Sequence, residues 1–234
     1  SATSLDAVER VLEASSAWDE VRVDYAVDWP LHLILTTEAL GVYNQLFGLL
    51  WSTKRTMCEL DVVWPLLMEN RYRRLPPQDN LWLRPLWSLH SQMMFLVKNL
   101  QIYLQVDVVE TQYAIMVKAI HAHQDFDAVR KAHTHYLAAL TSKSHLGVRP
   151  LMEGLHRLLG LCRRFCAVFL NYSSASDIPH AEVTSISNSF KSDAAYLFLI
   201  LERSDAKELA ARLNFNGWFG DTAHAITGSG MGTG

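Results

Sequence analysis

The chain has 234 residues, of which 50% are hydrophobic and 19% charged, with a formal net charge of -3. Such a length can bury roughly 70% of the unfolded surface, so a self-sufficient core is expected and disorder is excluded for the bulk of the chain. The slight negative balance supplies no general attraction for phosphates, and the densest basic cluster, Arg71, Arg73 and Arg74, is too small for a nucleic-acid face.

Three cysteines, Cys58, Cys162 and Cys166, form no ladder of spacings, which argues against a secreted disulfide scaffold and for a reducing, cytosolic compartment. Cys162 and Cys166 lie one helical turn apart and read as two buried thiols in preference to a metal site. The longest uninterrupted apolar run, Ala194 to Leu201, falls well short of the ~20 residues that span a bilayer, so no membrane is expected. Asp6, Glu9 and Glu13 exclude a signal peptide, and Ser1 in place of Met predicts a processed or excised piece.

In chain order, Leu5, Val8, Val11 and Leu12 predict a short first helix behind Thr3 or Ser4. Val21, Val23 and Tyr25 alternate with Arg22 and Asp24, which predicts one brief extended segment near residues 20–26, closed by Trp29-Pro30. Pro30 suits the first turn of another helix. From Thr36 or Thr37 the positions Leu40, Tyr43, Phe47, Leu50, Trp51, Met57 and Cys58 keep helical period to about Asn70, with Pro65 expected to kink or end it near Val63 or Trp64. A surface connection is expected over residues 71–84, around Pro76 and Pro77. A central helix follows Pro85, through Leu86, Leu89, Met93, Leu96, Leu100 and Tyr103. Val109, Tyr113, Met116 and Ile120, then Phe126, Val129, Tyr136 and Leu140, predict two antiparallel helices with Asp125 as a cap. Another helix begins near Gly147 and Pro150 and stops near Asn171. After a polar loop, Ile186, Phe190, Ala194, Leu197 and Leu201 mark a last long helix, with a short turn beyond Ser204-Asp205. The fold class is all-α: an elongated multi-helix bundle of short antiparallel pairs. The domain is expected to cover residues 1–219, and residues 220–234 to form a flexible glycine-rich tail.

Catalytic and metal-binding patterns are weak. The glycines of the tail lack the strand and helix that make a phosphate loop. Glu153 and His156 have the carboxylate and imidazole spacing of di-iron bundles, but no second pair accompanies them. His121 with His123, and His133 with His135, point to nearly opposite helix faces and read as exposed or half-buried polar residues near helix ends. No metalloprotease, prenyl-diphosphate or nucleophile-elbow motif occurs, so no enzyme, cofactor or metal site is expected. Most of the seven tryptophans are expected in the core.

Two stretches carry a family resemblance. The first is Tyr25-Ala26-Val27-Asp28-Trp29-Pro30-Leu31-His32-Leu33-Ile34-Leu35-Thr36, continued by Leu40-Gly41-Val42-Tyr43-Asn44-Gln45-Leu46-Phe47-Gly48-Leu49-Leu50 and Lys54. The second is Gln92-Met93-Met94-Phe95-Leu96-Val97-Lys98-Asn99-Leu100-Gln101-Ile102-Tyr103-Leu104, then Asp107-Val108-Val109-Glu110. With Asp125-Phe126-Asp127, His133 and Tyr136-Leu137 they resemble the carboxy-terminal Grip domain of the gamma-tubulin complex proteins, over roughly residues 20–203.

The resemblance implies a fragment, the helical half that holds gamma-tubulin. An absent amino-terminal half would make lateral contacts with neighbouring gamma-tubulin complex proteins. It further implies microtubule nucleation without covalent chemistry, any nucleotide sitting in gamma-tubulin, and a place in the cytoplasm and cytoskeleton at a microtubule-organising centre, centrosome or spindle pole body. The alternative is an adaptor that takes a short amphipathic helix of a scaffold protein in a groove. Val27, Leu31, Ile34, Leu35, Leu100, Tyr103 and Val109 read as packing residues. Polar or aromatic residues at segment ends are the better partner contacts: Tyr25, Asp28, Trp29 and His32 at the first motif, and Arg71, Tyr72, Arg73 and Arg149 beside loops.

Overall fold

Apolar side chains three and four positions apart set the register of the long elements in the computed structural model, which describes residues 21–68, 83–122, 125–171, 178–214, 216–218 and 220–221. After an irregular stretch and a 3-10 turn, Leu31–Leu33, helix α1 runs Thr37–Met68 and α2 Leu83–Ile102. A π-helical stretch, Tyr103–Glu110, leads directly into α3, Thr111–Ala122, and then come α4, Phe126–Lys143, α5, Arg149–Asn171, α6, His180–Arg203, and α7, Lys207–Leu213. The all-α expectation is met, and no strand occurs among the described residues. The expected first helix, the connection up to residue 82 and the tail beyond residue 221 lie outside them.

Local chemistry explains several boundaries. Thr36 caps α1: its Oγ1 accepts the Ala39 N–H at 3.2 Å, and its hydroxyl helps hold the Glu38 carboxyl below its usual range in the favourable first turn. Asp125 occupies the N-cap of α4 with extended backbone, but its carboxylate makes no capping bond. Of the two expected effects of Pro65, a kink or an end, the end near Val63 does not occur; the helix continues to Met68, close to the expected limit near Asn70. Pro65 and Asp61 are both exposed, so the carbonyl that loses its partner faces water, while buried Leu60, Val63 and Leu67 anchor the last turns.

The chain divides into two compact units. The first takes the chain up to Ser52 together with Leu104–Gly147, and the second takes Thr53–Tyr103 and everything from Val148 on. In the first, α3 packs on α4, and Leu46, Leu49, Leu104, Val108, Tyr136 and Leu140 are buried. The π-helical stretch was not anticipated. Its wider turns place Leu104 and Val108 inside and present Gln112 to the interior at the start of α3. As a result Tyr113, expected on the inner face, is exposed.

In the second unit, α5 packs on α6, and α7 packs on α2 and α6. Gly154 sits where α5 and α6 come close; a Cβ there would meet Leu197 Cδ1 at 3.1 Å. Phe165, Phe169 and Phe190 are fully buried. Cys162 and Cys166 are buried thiols, as expected, and burial pushes both far above the usual thiol range, which keeps them protonated and inert. Ion pairs between α5 and α6, such as Arg164 with Glu182 at 3.0 Å, are exposed and contribute little beside this apolar interior.

Trp64 stacks on His90 with ring centroids 5.1 Å apart, and His90 Nε2 lies 2.9 Å from the Leu60 carbonyl, to which it donates. Burial holds this imidazole below its ordinary pKa. The unfolded chain therefore binds a proton that the folded chain does not, so stability is full above the usual histidine range and is lost as pH falls through it. Melting temperature should drop between about pH 7.5 and pH 5.5, and His90→Gln should flatten part of that slope in a thermal scan. An unchanged slope in the variant would remove His90 from the account.

Candidate functional site

The site begins with the non-helical residues ahead of α1. The Val23 N–H donates to Asn44 Oδ1 at 2.7 Å, and the Val23 carbonyl accepts from Asn44 Nδ2 at 2.9 Å. Asn44 Nδ2 also reaches the Leu40 carbonyl at 3.1 Å, which fixes the carboxamide on the surface of α1. A side-chain amide thus takes the place of a strand partner, and the alternating pattern of residues 21–25 forms no sheet. Further on, a cis Trp29-Pro30 bond precedes the turn, in which the Leu31 N–H donates to the Asp28 carbonyl at 3.0 Å.

Beside this segment lies an open, mainly apolar groove of about 750 Å³ within the first unit. Its walls come from Val23, Asp24 and Tyr25, from Leu40, Tyr43, Phe47 and Leu50 on α1, from Val109 of the π-helical stretch, and from Tyr136 and Leu140 on α4. The first half of α1 carries two apolar stripes. Ala39, Leu46 and Leu49 are buried, whereas Leu40, Tyr43, Phe47 and Leu50 are half-buried along the groove.

One wall is hydrogen-bonded. Tyr43 Oη and His133 Nε2 share a bond of 2.9 Å, and Tyr43 and Tyr113 both flank Tyr136, with centroids 6.5 Å and 6.4 Å away. Burial, reinforced by Tyr136, pushes the Tyr43 phenol up to about 12, while burial pushes Tyr136 up and His133 down. Burial thus favours the neutral form of all three, and Tyr43 and His133 serve as each other's hydrogen-bond partner. His133 is buried in mid-helix and corrects the expectation of an exposed or half-buried residue near a helix end. Among the described residues, no group of three or more His, Cys, Asp or Glu could hold a metal ion. Glu153 and His156 are engaged elsewhere, with Arg149 and with the Met152 carbonyl.

Four of the residues expected to contact a partner fall together in the first unit. Tyr25 is 57% exposed and lines the groove, Trp29 is 78% exposed, and Asp28 and His32 are exposed. Arg149 opens α5 in the second unit, exposed and bonded to Glu153 at 2.8 Å. Arg71, Tyr72 and Arg73 lie outside the described residues. Leu31 is half exposed, which corrects its reading as a packing residue: the 3-10 turn buries none of its three side chains. The core expectation for the tryptophans is met only in part: of the five described, Trp51, Trp87 and Trp218 are half-buried, Trp29 and Trp64 are exposed, and none is fully buried, while Trp18 and Trp82 lie outside the described residues. The large indole sits at the edges of the packing.

Fold and site are those of an all-helical domain with an open, mainly apolar groove among its described residues. A family model described as gamma tubulin complex component C-terminal matches residues 1–219, and the chain belongs to that family. It is 32% identical over 225 residues to gamma-tubulin complex component 4 of Mus musculus, covering 93% of this chain and 33% of the relative. It is 32% identical over 230 residues to gamma-tubulin complex component 4 of Arabidopsis thaliana, covering 89% and 31%. The gamma-tubulin complex component 2 homolog of Drosophila melanogaster is 26% identical over 149 residues, covering 61% and 16%. The chain spans about a third of the length of the component 4 relatives.

The Asn44 pairing yields a direct test. Asn44→Ala removes both bonds to Val23 and should cost about 1–2 kcal/mol in chemical denaturation. Amide exchange of Val23, whose N–H Asn44 accepts, should accelerate while α5 and α6 stay protected; unaltered exchange there would show that Asn44 does not hold this segment.

Proposed function

We propose that this chain is a non-catalytic scaffold domain that binds gamma-tubulin and positions it, within a gamma-tubulin complex, for microtubule nucleation. One observation carries the reading. Thirteen large hydrophobic side chains are exposed among the described residues; Val62, Trp64 and Tyr196 belong to the second unit and the other ten to the first. A concentration of that kind marks a surface completed by a partner, and the family relationship makes gamma-tubulin the partner of choice.

Docking on prepacked helices would cost little ordering, so exposed aromatics such as Trp29 and Tyr25 would contribute much of the affinity. Residues 1–219 would act as one Grip-type domain, and neighbouring complex components would be met through portions of the relatives that this chain does not cover. The place of action would be the cytoskeleton at a microtubule-organising centre. No described helix is long and apolar enough to cross a membrane.

A second reading, an adaptor for a short amphipathic helix, is favoured by the groove itself. Binding to purified gamma-tubulin in an interferometry or pull-down assay separates the two. Affinity at micromolar concentration or better is expected. A folded sample that does not bind overturns the reading. Trp29→Ala should lose about 2 kcal/mol, roughly thirtyfold in Kd, with melting temperature near wild type because the ring is exposed. A large fall in melting temperature would instead assign the ring to structural packing.

A further inference from the structure

The paired bonds between Asn44 and Val23 fix more than the position of one residue. A single planar carboxamide reaches both the N–H and the carbonyl of Val23. That requires the two groups to point to the same side, as they do in extended backbone; in a helix they point in opposite directions along the axis. Alternation then turns the backbone groups of Arg22 and Asp24 to the other side. The Tyr25 N–H, on the Val23 side, is taken by Asp24 Oδ1 at 2.8 Å. Among the described residues, nothing bonds to the N–H or carbonyl of Arg22 or of Asp24. Among the described residues, both donors and both acceptors are therefore left without a partner on one edge.

The surroundings narrow what can lie there. Two sets of backbone groups about 7 Å apart along a strand are matched by a second extended chain, whereas a helix has spent its own backbone groups internally. Val23 and Tyr25 form the rim of the groove next to this edge, and Asp24 is the only charged side chain among the groove's lining residues. An occupant suited to both is mainly apolar and carries one basic side chain. Resting on the gamma-tubulin reading above, we infer that residues 21–26 are a strand-addition edge. An extended, mainly apolar segment of gamma-tubulin pairs with the backbone of Arg22 and Asp24, seats an apolar side chain in the groove and sets a basic group against Asp24. Main-chain pairing supplies affinity in this mode and the adjoining groove supplies selectivity.

The experiment uses the whole chain and purified gamma-tubulin. Arg22→Pro removes the outward N–H, a change that an unpaired edge tolerates, and Arg22→Ala keeps it. Affinity should fall about tenfold or more for Arg22→Pro and stay within about threefold for Arg22→Ala. In the wild-type protein, amides 22 and 24 should exchange rapidly when free and slowly in the complex, a readout that needs no variant. Equal losses in the two variants, no loss in Arg22→Pro, or protection of both amides in the free protein would overturn the inference; the last would show that the chain itself occupies the edge. Wild-type binding that survives Arg22→Pro leaves the gamma-tubulin reading standing. Absence of wild-type binding removes both.

Discussion

Between Thr36 and Leu50, helix α1 carries more apolar side chains than its unit buries. Ala39, Leu46 and Leu49 go into the interior, and their neighbours Leu40, Tyr43, Phe47 and Leu50 form the floor of a groove. An ordinary amphipathic helix would carry polar residues on that second stripe. The features around it depend on this excess: the rim of residues 23–25, the inward turn of Val109 and the tyrosines that close the far side. Asn44 stands between the stripes and ties the preceding chain to the helix.

The chemistry of the two units is quiet by construction. The Tyr43, His133 and Tyr136 cluster places three titratable groups together, yet burial moves each pKa toward the neutral form. The buried thiols of α5 are shifted in the same sense. Groups that stay neutral and bonded over a wide pH range hold a surface in shape but move no protons. This suits the contact role proposed above.

Helices that pack through one stripe were legible in the sequence, because three- and four-residue spacing needs no knowledge of neighbours. Thr37–Met68, Arg149–Asn171 and His180–Arg203 fall within a few residues of expectation. The groove was only half legible. Its stripe on α1 stood in the pattern, but the same pattern describes core, and which stripe is covered depends on helices distant in sequence. Asn44 was hidden for the same reason: its partner Val23 lies 21 positions away and offers only backbone. Of the contact candidates, the exposed Trp29 and Tyr25 were reachable because they sit where a periodic segment stops. The exposure of Leu31 was not, since a 3-10 turn leaves no apolar period to follow.

The π-helical stretch Tyr103–Glu110 has its own bearing on how relatives compare. A π turn accommodates one residue more than the α turn it replaces. A helical wheel drawn straight through from α2 therefore assigns the wrong side of α3 to the interior. Among homologous chains, a gain or loss of one residue here would register as an axial twist of α3, exchanging inward Gln112 for an outward neighbour, without interrupting the helix. An alignment gap at this point is thus a statement about surface phase, and it would re-aim Tyr113 and Ile115.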